Sequence, residues 1–319
     1  MNDDTERGGS LWAWLELLRA PNLFTAVADV AMGFLFVQAA AAGQRTWQMQ
    51  PADAVILAVL AAASALLYAA GVVLNDVADA DVDRRERPER PIPSGRVALA
   101  AARRAGWLLL AAGVALAWIA AFQVREVRPG LVGTLLAAAI VLYDLGLKRT
   151  PLGPLVMGGC RMLNVLLGMS VLAGPLRGEH FLVSGGIGLY IVGITWLARN
   201  ENAVGDRRQI LAATLVMMAG VGLLFCLPLV LPARLLLIPP GRWYPLLGLL
   251  GATIGWRCLY AVVEPGPGQV RVAVTHGILS LVFLDAAACC AVRGVLPWAV
   301  AILALLVPAI FLGRWLEST

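Results

Sequence analysis

The sequence predicts an all-α integral membrane protein: a single domain over residues 1–319, with nine or ten transmembrane helices. Three observations carry that expectation. Hydrophobic residues make up 60% of the chain and its mean hydropathy is +0.80, values foreign to a soluble globular domain. Apolar windows near the ~20 residues needed to cross a bilayer recur along the whole length. No polar stretch exceeds roughly two dozen residues, so no separate soluble domain is expected.

The charge pattern gives sidedness. The net charge of +5 rests almost wholly on arginine, since Lys148 is the single lysine. Such an excess in an apolar chain speaks for membrane topology and for phosphate or headgroup contacts, and no nucleic-acid-binding signature accompanies it. The five cysteines (Cys160, Cys226, Cys258, Cys289, Cys290) lie in apolar segments without metal-ligand spacing and read as packing residues. Residues 1–10 are polar and lack the pattern of a cleaved signal.

Helices are expected at 22–41, 52–75, 103–122, 130–147, 152–173, 181–198, 209–230, 243–263, 272–292 and 296–313. Cations crowd alternate connections. Arg84, Arg85, Arg87, Arg90, Arg96, Arg103 and Arg104 follow the second helix, Lys148 and Arg149 the fourth, and Arg199, Arg207 and Arg208 the sixth. The positive-inside rule therefore places these connections and the N-terminus in the cytoplasm.

The first helix carries Arg19, Asn22, Ala26 and Asp29 on one face. A carboxylate at the depth of Asp29 faces either a substrate cavity or a polar group of a neighbouring helix. After the second helix comes Asn75-Asp76-Val77-Ala78-Asp79-Ala80-Asp81-Val82-Asp83, followed by a basic run ending in Arg90-Pro91-Ile92-Pro93-Ser94-Gly95-Arg96. If the helix continues, Asp76, Asp79 and Asp83 form one stripe, with Asn75 at its edge and Asp81 pointing elsewhere. Stacked carboxylates repel unless a cation sits among them. Hard oxygen donors without His or Cys favour Mg²⁺ carried with a phosphate ligand. Arginines such as Arg90 suit diphosphate oxygens. The competing reading is a solvated loop whose charges only set topology, but such a loop has no reason to keep helical register.

The fourth helix ends in Tyr143-Asp144 with Lys148 and Arg149 just beyond. Asp144 and Lys148 have the spacing of a surface ion pair. The alternative has both cations facing a diphosphate while Tyr143 faces a developing positive charge. The fifth helix holds Arg161 and Asn164 one turn apart, among Gly158, Gly159 and Gly168, which permit close helix packing. Arg161 needs an anion at that depth, either an aspartate or a ligand phosphate. The sixth connection contains Arg199-Asn200-Glu201-Asn202 and Asp206-Arg207. Asn202 and Asp206 share a helical face, making a second acidic cluster on the same side. Arg257 and Asp285 are intramembrane charges suited to structural pairing, and His180 and His276 stand alone.

The run Asn75 to Asp83 resembles the NDxxDxxxD motif of the UbiA superfamily of intramembrane prenyltransferases, and Arg90 to Gly95 matches the tail of that motif. Tyr143 with the run Gly146 to Gly153 resembles the family's segment between its fourth and fifth helices, and Gly205-Asp206-Arg207 the end of its second aspartate motif. The resemblance implies a bundle, usually of nine helices, around a central cavity capped by cytosolic loops. It also implies Mg²⁺-dependent transfer of a prenyl group from a prenyl diphosphate to an aromatic or other lipid-pathway acceptor. Asn75, Asp76, Asp79 and Asp83 would hold Mg²⁺–diphosphate, joined by Asn202 and Asp206. Lys148 and Arg149 would act on the diphosphate and Tyr143 on the allylic cation. Asn22, Asp29, Arg90, Arg161, Asn164, Arg199 and Arg207 are the candidates for substrate contact.

The second motif departs from the pattern: Arg199 and Asn202 stand where the family commonly has aspartate. Arg199 cannot ligate a metal, and Asn202 can do so only through a neutral oxygen. One half of the metal site is thus expected complete and the other altered. The runs Arg161 to Met169 and Arg199 to Glu201 look similar to a divergent bacterial branch, the EboC-type members, which implies a bacterial cytoplasmic membrane. The reading from another class is a non-catalytic membrane protein that binds a lipid precursor on the same fold. A CDP-alcohol phosphotransferase would need a DG-x₂-AR run, which is absent.

Overall fold

The computed structural model describes residues 10–42, 48–199, 206–292 and 296–317, and among them only helices, turns and one isolated β-bridge occur. The helices are α1 (Ser10–Leu17), α2 (Ala20–Ala42), α3 (Pro51–Glu86), α4 (Leu99–Val124), α5 (Arg128–Asp144), α6 (Gly153–Met169), α7 (Gly178–Ala198), α8 (Arg207–Phe225), α9 (Leu227–Val230), α10 (Pro240–Val263), α11 (Pro267–Ala291), α12 (Leu296–Ala304) and α13 (Leu306–Glu317). Eight segments among the described residues are long and apolar enough to cross a membrane. α5 and α6, with 17 residues each, lie at the short end of the spanning range. The protein is an integral membrane helical bundle.

The length of α3 is the feature that positions the site. Its 36 residues span about 54 Å, well beyond the ~30 Å hydrocarbon core. The second helix therefore ends not at residue 75 but eleven residues later, at Glu86. Nothing between Leu74 and Glu86 breaks a helix, whereas Pro88 disfavours helical backbone at Arg87, where α3 stops. The acidic stripe thus rides on rigid helix that projects past the apolar span.

The chain then doubles back over the stripe. Ser94 N–H donates to the Arg90 carbonyl at 3.0 Å and Val97 N–H to that of Pro91 at 2.9 Å. Gly95 makes the turn at φ +79°, which favours glycine. Ile92 and Val97 are buried with Ala13 and Leu17 of α1, and Arg96 pairs with Glu16 at 2.7 Å. These contacts clamp α1 onto the basic turn.

α2 is the central pillar, packed against α3, α6, α11 and α13. It crosses α6 with almost no gap. A Cβ at Gly33 would lie 2.3 Å from the Val165 carbonyl oxygen, and one at Gly168 2.1 Å from that of Val30. Only glycine permits this approach, which brings Asp29 against Arg161 and Asn164. Gly158 likewise meets the Gly188 carbonyl of α7, whereas Gly159 faces open space and plays no part in packing.

Two expected helices are broken by proline. Pro228 cannot donate to the Leu224 carbonyl, and α8 ends at Phe225 with α9 following. Pro308 cannot donate to the Ala304 carbonyl, so the final segment divides into α12 and α13. The fourth and fifth helices are also shorter than expected, ending at Asp144 and Met169.

Candidate active site

Asp76, Asp79 and Asp83 lie along α3 as the i, i+3, i+7 register requires, and each meets a cation from elsewhere in the chain. Arg19, at the start of α2, holds Asp76 at 3.0 Å. Arg90 reaches back from the turn to Asp83 at 2.8 Å and to Asp76 at 3.6 Å. Lys148 holds Asp79 at 2.7 Å and Arg149 holds it at 3.1 Å. Asp76 and Asp83 are buried, while Asp79 keeps 25% of its side chain exposed. Asp81 points away and pairs with Arg84 on the surface.

Asn75 ties this stripe to the end of α5. Its Nδ2 donates to Asp144 Oδ1 at 2.9 Å, while Lys148 Nζ donates to the Asn75 carbonyl at 3.4 Å. The surface pair of Asp144 with Lys148 is therefore not formed: Lys148 turns to α3 and Asp144 turns inward. Asp144 Oδ2 is buried with no protein donor, an open acceptor at the wall of the cavity below.

Arg199, at the end of α7, donates through Nη2 to the carbonyls of Lys148 (2.9 Å) and Thr150 (2.6 Å). It braces the 3₁₀ turn Leu147–Arg149, and through it the two cations on Asp79. An aspartate here would present oxygen to those carbonyls and lose the brace. Arg199 thus supports the turn.

A central cavity of about 330 Å³ opens beneath the stripe, between α2, α3, α5, α6, α7 and α11. Leu67, Leu136, Ile140, Ile191, Ile194 and Val274 supply apolar wall. Arg19, Asn22, Asn75, Tyr143 and Asp144 line it as well, as do Ser64, Tyr68, Arg161 and Asn164. A narrow volume with apolar walls and a few convergent polar groups is the form of a small-molecule site.

Asp29 does not line the cavity; it is fully buried behind it. The anion that Arg161 requires is this aspartate: Nη1 lies 2.7 Å from Asp29 Oδ2 and Nη2 2.8 Å from Thr25 Oγ1. Arg161 also lies 5.7 Å over the Tyr68 ring. Asn164 donates to the Ala26 carbonyl (2.8 Å) and to Asp29 (3.2 Å), and accepts from Ser64 Oγ (2.7 Å). Asp285 of α11 is fully buried against Asp29, and both its oxygens and Asp29 Oδ1 lack a protein donor. The intramembrane neighbour of Asp285 is thus Asp29, and Arg257 takes no part in it.

Of the second cluster, Arg199, Asp206 and Arg207 are among the described residues. Asp206 caps α8, its Oδ1 accepting from Arg208 N–H at 2.9 Å, and Arg207 donates to the Val263 carbonyl at 3.0 Å. Asn202 lies outside the described residues. Sequence reasoning put Arg19 on the face it read as a pocket wall, and missed the cavity residues Ser64, Tyr68 and Asp144. Arg19 had a signal in its spacing to Asn22 and Asp29, while Ser64 and Tyr68 sit in an ordinary apolar run.

No three acidic, His or Cys groups among the described residues stand close enough to cage a metal by themselves. Mg²⁺ carried with a substrate phosphate draws on one or two carboxylates and completes its shell with phosphate oxygen and water. The donors are all hard oxygen, and the open Asp144 acceptor adds to them. The residues present could hold such an ion.

An acidic stripe interleaved with cations, at the mouth of an apolar intramembrane cavity, defines a membrane enzyme that handles a lipid with an anionic head. A family model described as the UbiA prenyltransferase family matches residues 30–268, and the chain belongs to that family. It is a prenyltransferase that moves a prenyl group from a prenyl diphosphate within the membrane. The digeranylgeranylglyceryl phosphate synthase of Methanoculleus marisnigri is 27% identical over 257 residues, 77% of this chain and 83% of the relative. That of Sulfolobus acidocaldarius is 29% identical over 205 residues, 63% of this chain and 67% of the relative. The apo structure of a UbiA homolog from Aeropyrum pernix K1 superposes with a TM-score of 0.59 at 20% identity, covering 82% of this chain and 96% of that one. A structure from work on digeranylgeranylglyceryl phosphate synthase in membranes gives 0.63, also at 20% identity, covering 88% and 98%. These likenesses show the shared fold.

Proposed function

We propose that the transfer is Mg²⁺-dependent, that Asn75, Asp76, Asp79 and Asp83 hold the metal with the diphosphate, and that the acceptor enters the central cavity. The observation that supports this is the interleaving of Asp76, Asp79 and Asp83 with Arg19, Arg90, Lys148 and Arg149 above an apolar chamber. Bound there, Mg²⁺ would neutralise charge that builds on the leaving diphosphate.

The chain's own residues do the rest. Arg90, Lys148 and Arg149 face diphosphate oxygens, and their present partners are the carboxylates assigned to the metal. Tyr143 presents its ring to the allylic carbon as positive charge develops. The apolar wall from Leu136 to Val274 admits the prenyl chain and excludes the water that would intercept that cation. Arg199 keeps Lys148 and Arg149 in place. Asn22 contacts substrate at the cavity wall, Arg161 and Asn164 shape its inner part, and Asp29 holds Arg161. Asp206 caps α8 through Oδ1, and the proposal keeps it, with Asn202, as a candidate for a second half of the metal site. The arginine-rich connections support a cytoplasmic position for this end of the bundle.

The named activity of the relatives points to a hydroxyl acceptor of the glyceryl phosphate class, with an aromatic acceptor as the competitor. The purified chain is given Mg²⁺, geranylgeranyl diphosphate and, separately, a prenylated glyceryl phosphate or an aromatic acid. A product heavier than the first acceptor by one prenyl unit is expected. Hydrolysis of the diphosphate without transfer to either acceptor overturns the reading.

A further inference from the structure

α10 and α11 enclose a groove of about 540 Å³, separate from the central cavity. Thr253, Trp256 and Arg257 of α10 and His276 and Ser280 of α11 line it, and no carboxylate does. Arg257 and His276 are both exposed. Among the described residues, Arg257 makes neither an ion pair nor a hydrogen bond through its side chain. Its place in the chain makes this costly: it sits inside a segment apolar enough to span the membrane, where a charged side chain takes a counter-ion or reaches the interface.

Arg257 stands six residues before the end of α10 at Val263, about 9 Å along the helix axis, a depth its long side chain can bridge. That end of α10 belongs to the same face as the acidic stripe. Arg207, at the start of α8, binds the Val263 carbonyl at 3.0 Å, and the preceding chain leads from Arg199, which braces Lys148. Around the groove the surface is apolar and aromatic: Trp256 is 69% exposed and Tyr260 52%, with Leu259, Val263 and Val272 also open. Exposed Trp and Tyr near a helix end mark the level of lipid headgroups. An anion reaching Arg257 along this surface brings hydrocarbon with it.

We propose that this groove binds a phospholipid of the leaflet on the active-site side, with the phosphate at Arg257 and His276 and the acyl chains along Leu259, Val263 and Val272. Basic pockets between transmembrane helices are suited to anionic headgroups. The site is distinct from the catalytic one yet shares a wall with it. Gly277 of α11 lines the groove while its neighbours Val274 and Ile278 line the central cavity, and Tyr190 fastens the Gly277 carbonyl at 2.8 Å.

The test uses the full chain in detergent with equal amounts of phosphatidylglycerol and phosphatidylcholine of matched acyl chains, and native mass spectrometry to count retained lipid. Phosphatidylglycerol is expected to be retained in preference, and Arg257→Gln to lower its retention about tenfold. Arg257→Lys, which keeps the charge, restores most of the retention, and Arg242→Gln near the other end of α10 leaves it unchanged. Equal retention of both lipids, or undiminished retention in Arg257→Gln, overturns the proposal. Displacement of the lipid by inorganic phosphate alone assigns the site to a free anion and also overturns it. So does a dimer that Arg257→Gln dissolves while lipid retention is unchanged.

Discussion

Asp79→Ala is expected to lower prenyl transfer by about a hundred- to a thousandfold, the usual consequence of deleting one electrostatic partner at a reacting centre. Asp79 is the most accessible carboxylate of the stripe and the one on which Lys148 and Arg149 converge. Without it those cations face each other with no carboxylate between them, and the proposed metal loses its middle donor. Stability responds far less. Asp79 is 25% exposed and Arg149 62%, where ion pairs contribute about 0–1 kcal/mol, and the more buried Lys148 keeps the Asn75 carbonyl as an acceptor. Activity and melting temperature should therefore separate: turnover collapses while the protein stays folded. Asp79→Asn, which keeps an oxygen donor without charge, falls between. Full turnover in folded Asp79→Ala would remove the stripe from the reaction.

Arg161→Met is expected to act the other way round, through stability. Arg161 is the cation facing Asp29, which is fully buried between α2 and α6. Breaking a buried pair from one side leaves an uncompensated charge, at a cost of about 3–5 kcal/mol. Combining Arg161→Met with Asp29→Leu removes the orphan and should recover most of that loss, since buried ion pairs are often replaceable by apolar groups of similar size. Thermal unfolding in detergent reads the result: a drop of several degrees for the single variant and recovery in the double. Two single variants whose effects simply add would show that the pair is not coupled.

Much of this architecture is legible in the chain. Apolar windows give the spans, and helical register in Asn75 to Asp83 foretells that α3 continues past the membrane. The breaks at Pro228 and Pro308 and the cap at Asp206 follow from local rules of helix geometry. What the sequence hides is which distant groups meet. Arg161 could have turned to a ligand phosphate; it meets Asp29 because glycines 33 and 168 let two backbones touch. Lys148 had a carboxylate partner one helical turn away in Asp144 but meets Asp79 instead, while Asn75 donates to Asp144 Oδ1. Arg199 looks like a lost ligand in a motif and acts as a brace for backbone carbonyls. Each outcome is set by tertiary geometry and not by spacing along the chain.

The central claim is that the acidic stripe and its cations work on a metal-bound diphosphate. Diphosphate release by the purified protein, given a prenyl diphosphate and acceptor while Mg²⁺ is titrated from a chelated start, tests it most directly. The account predicts no release in excess chelator, saturable recovery with Mg²⁺, and recovery in Asp79→Ala to no more than about a hundredth of that level at saturating Mg²⁺. Release that persists undiminished in excess chelator contradicts it.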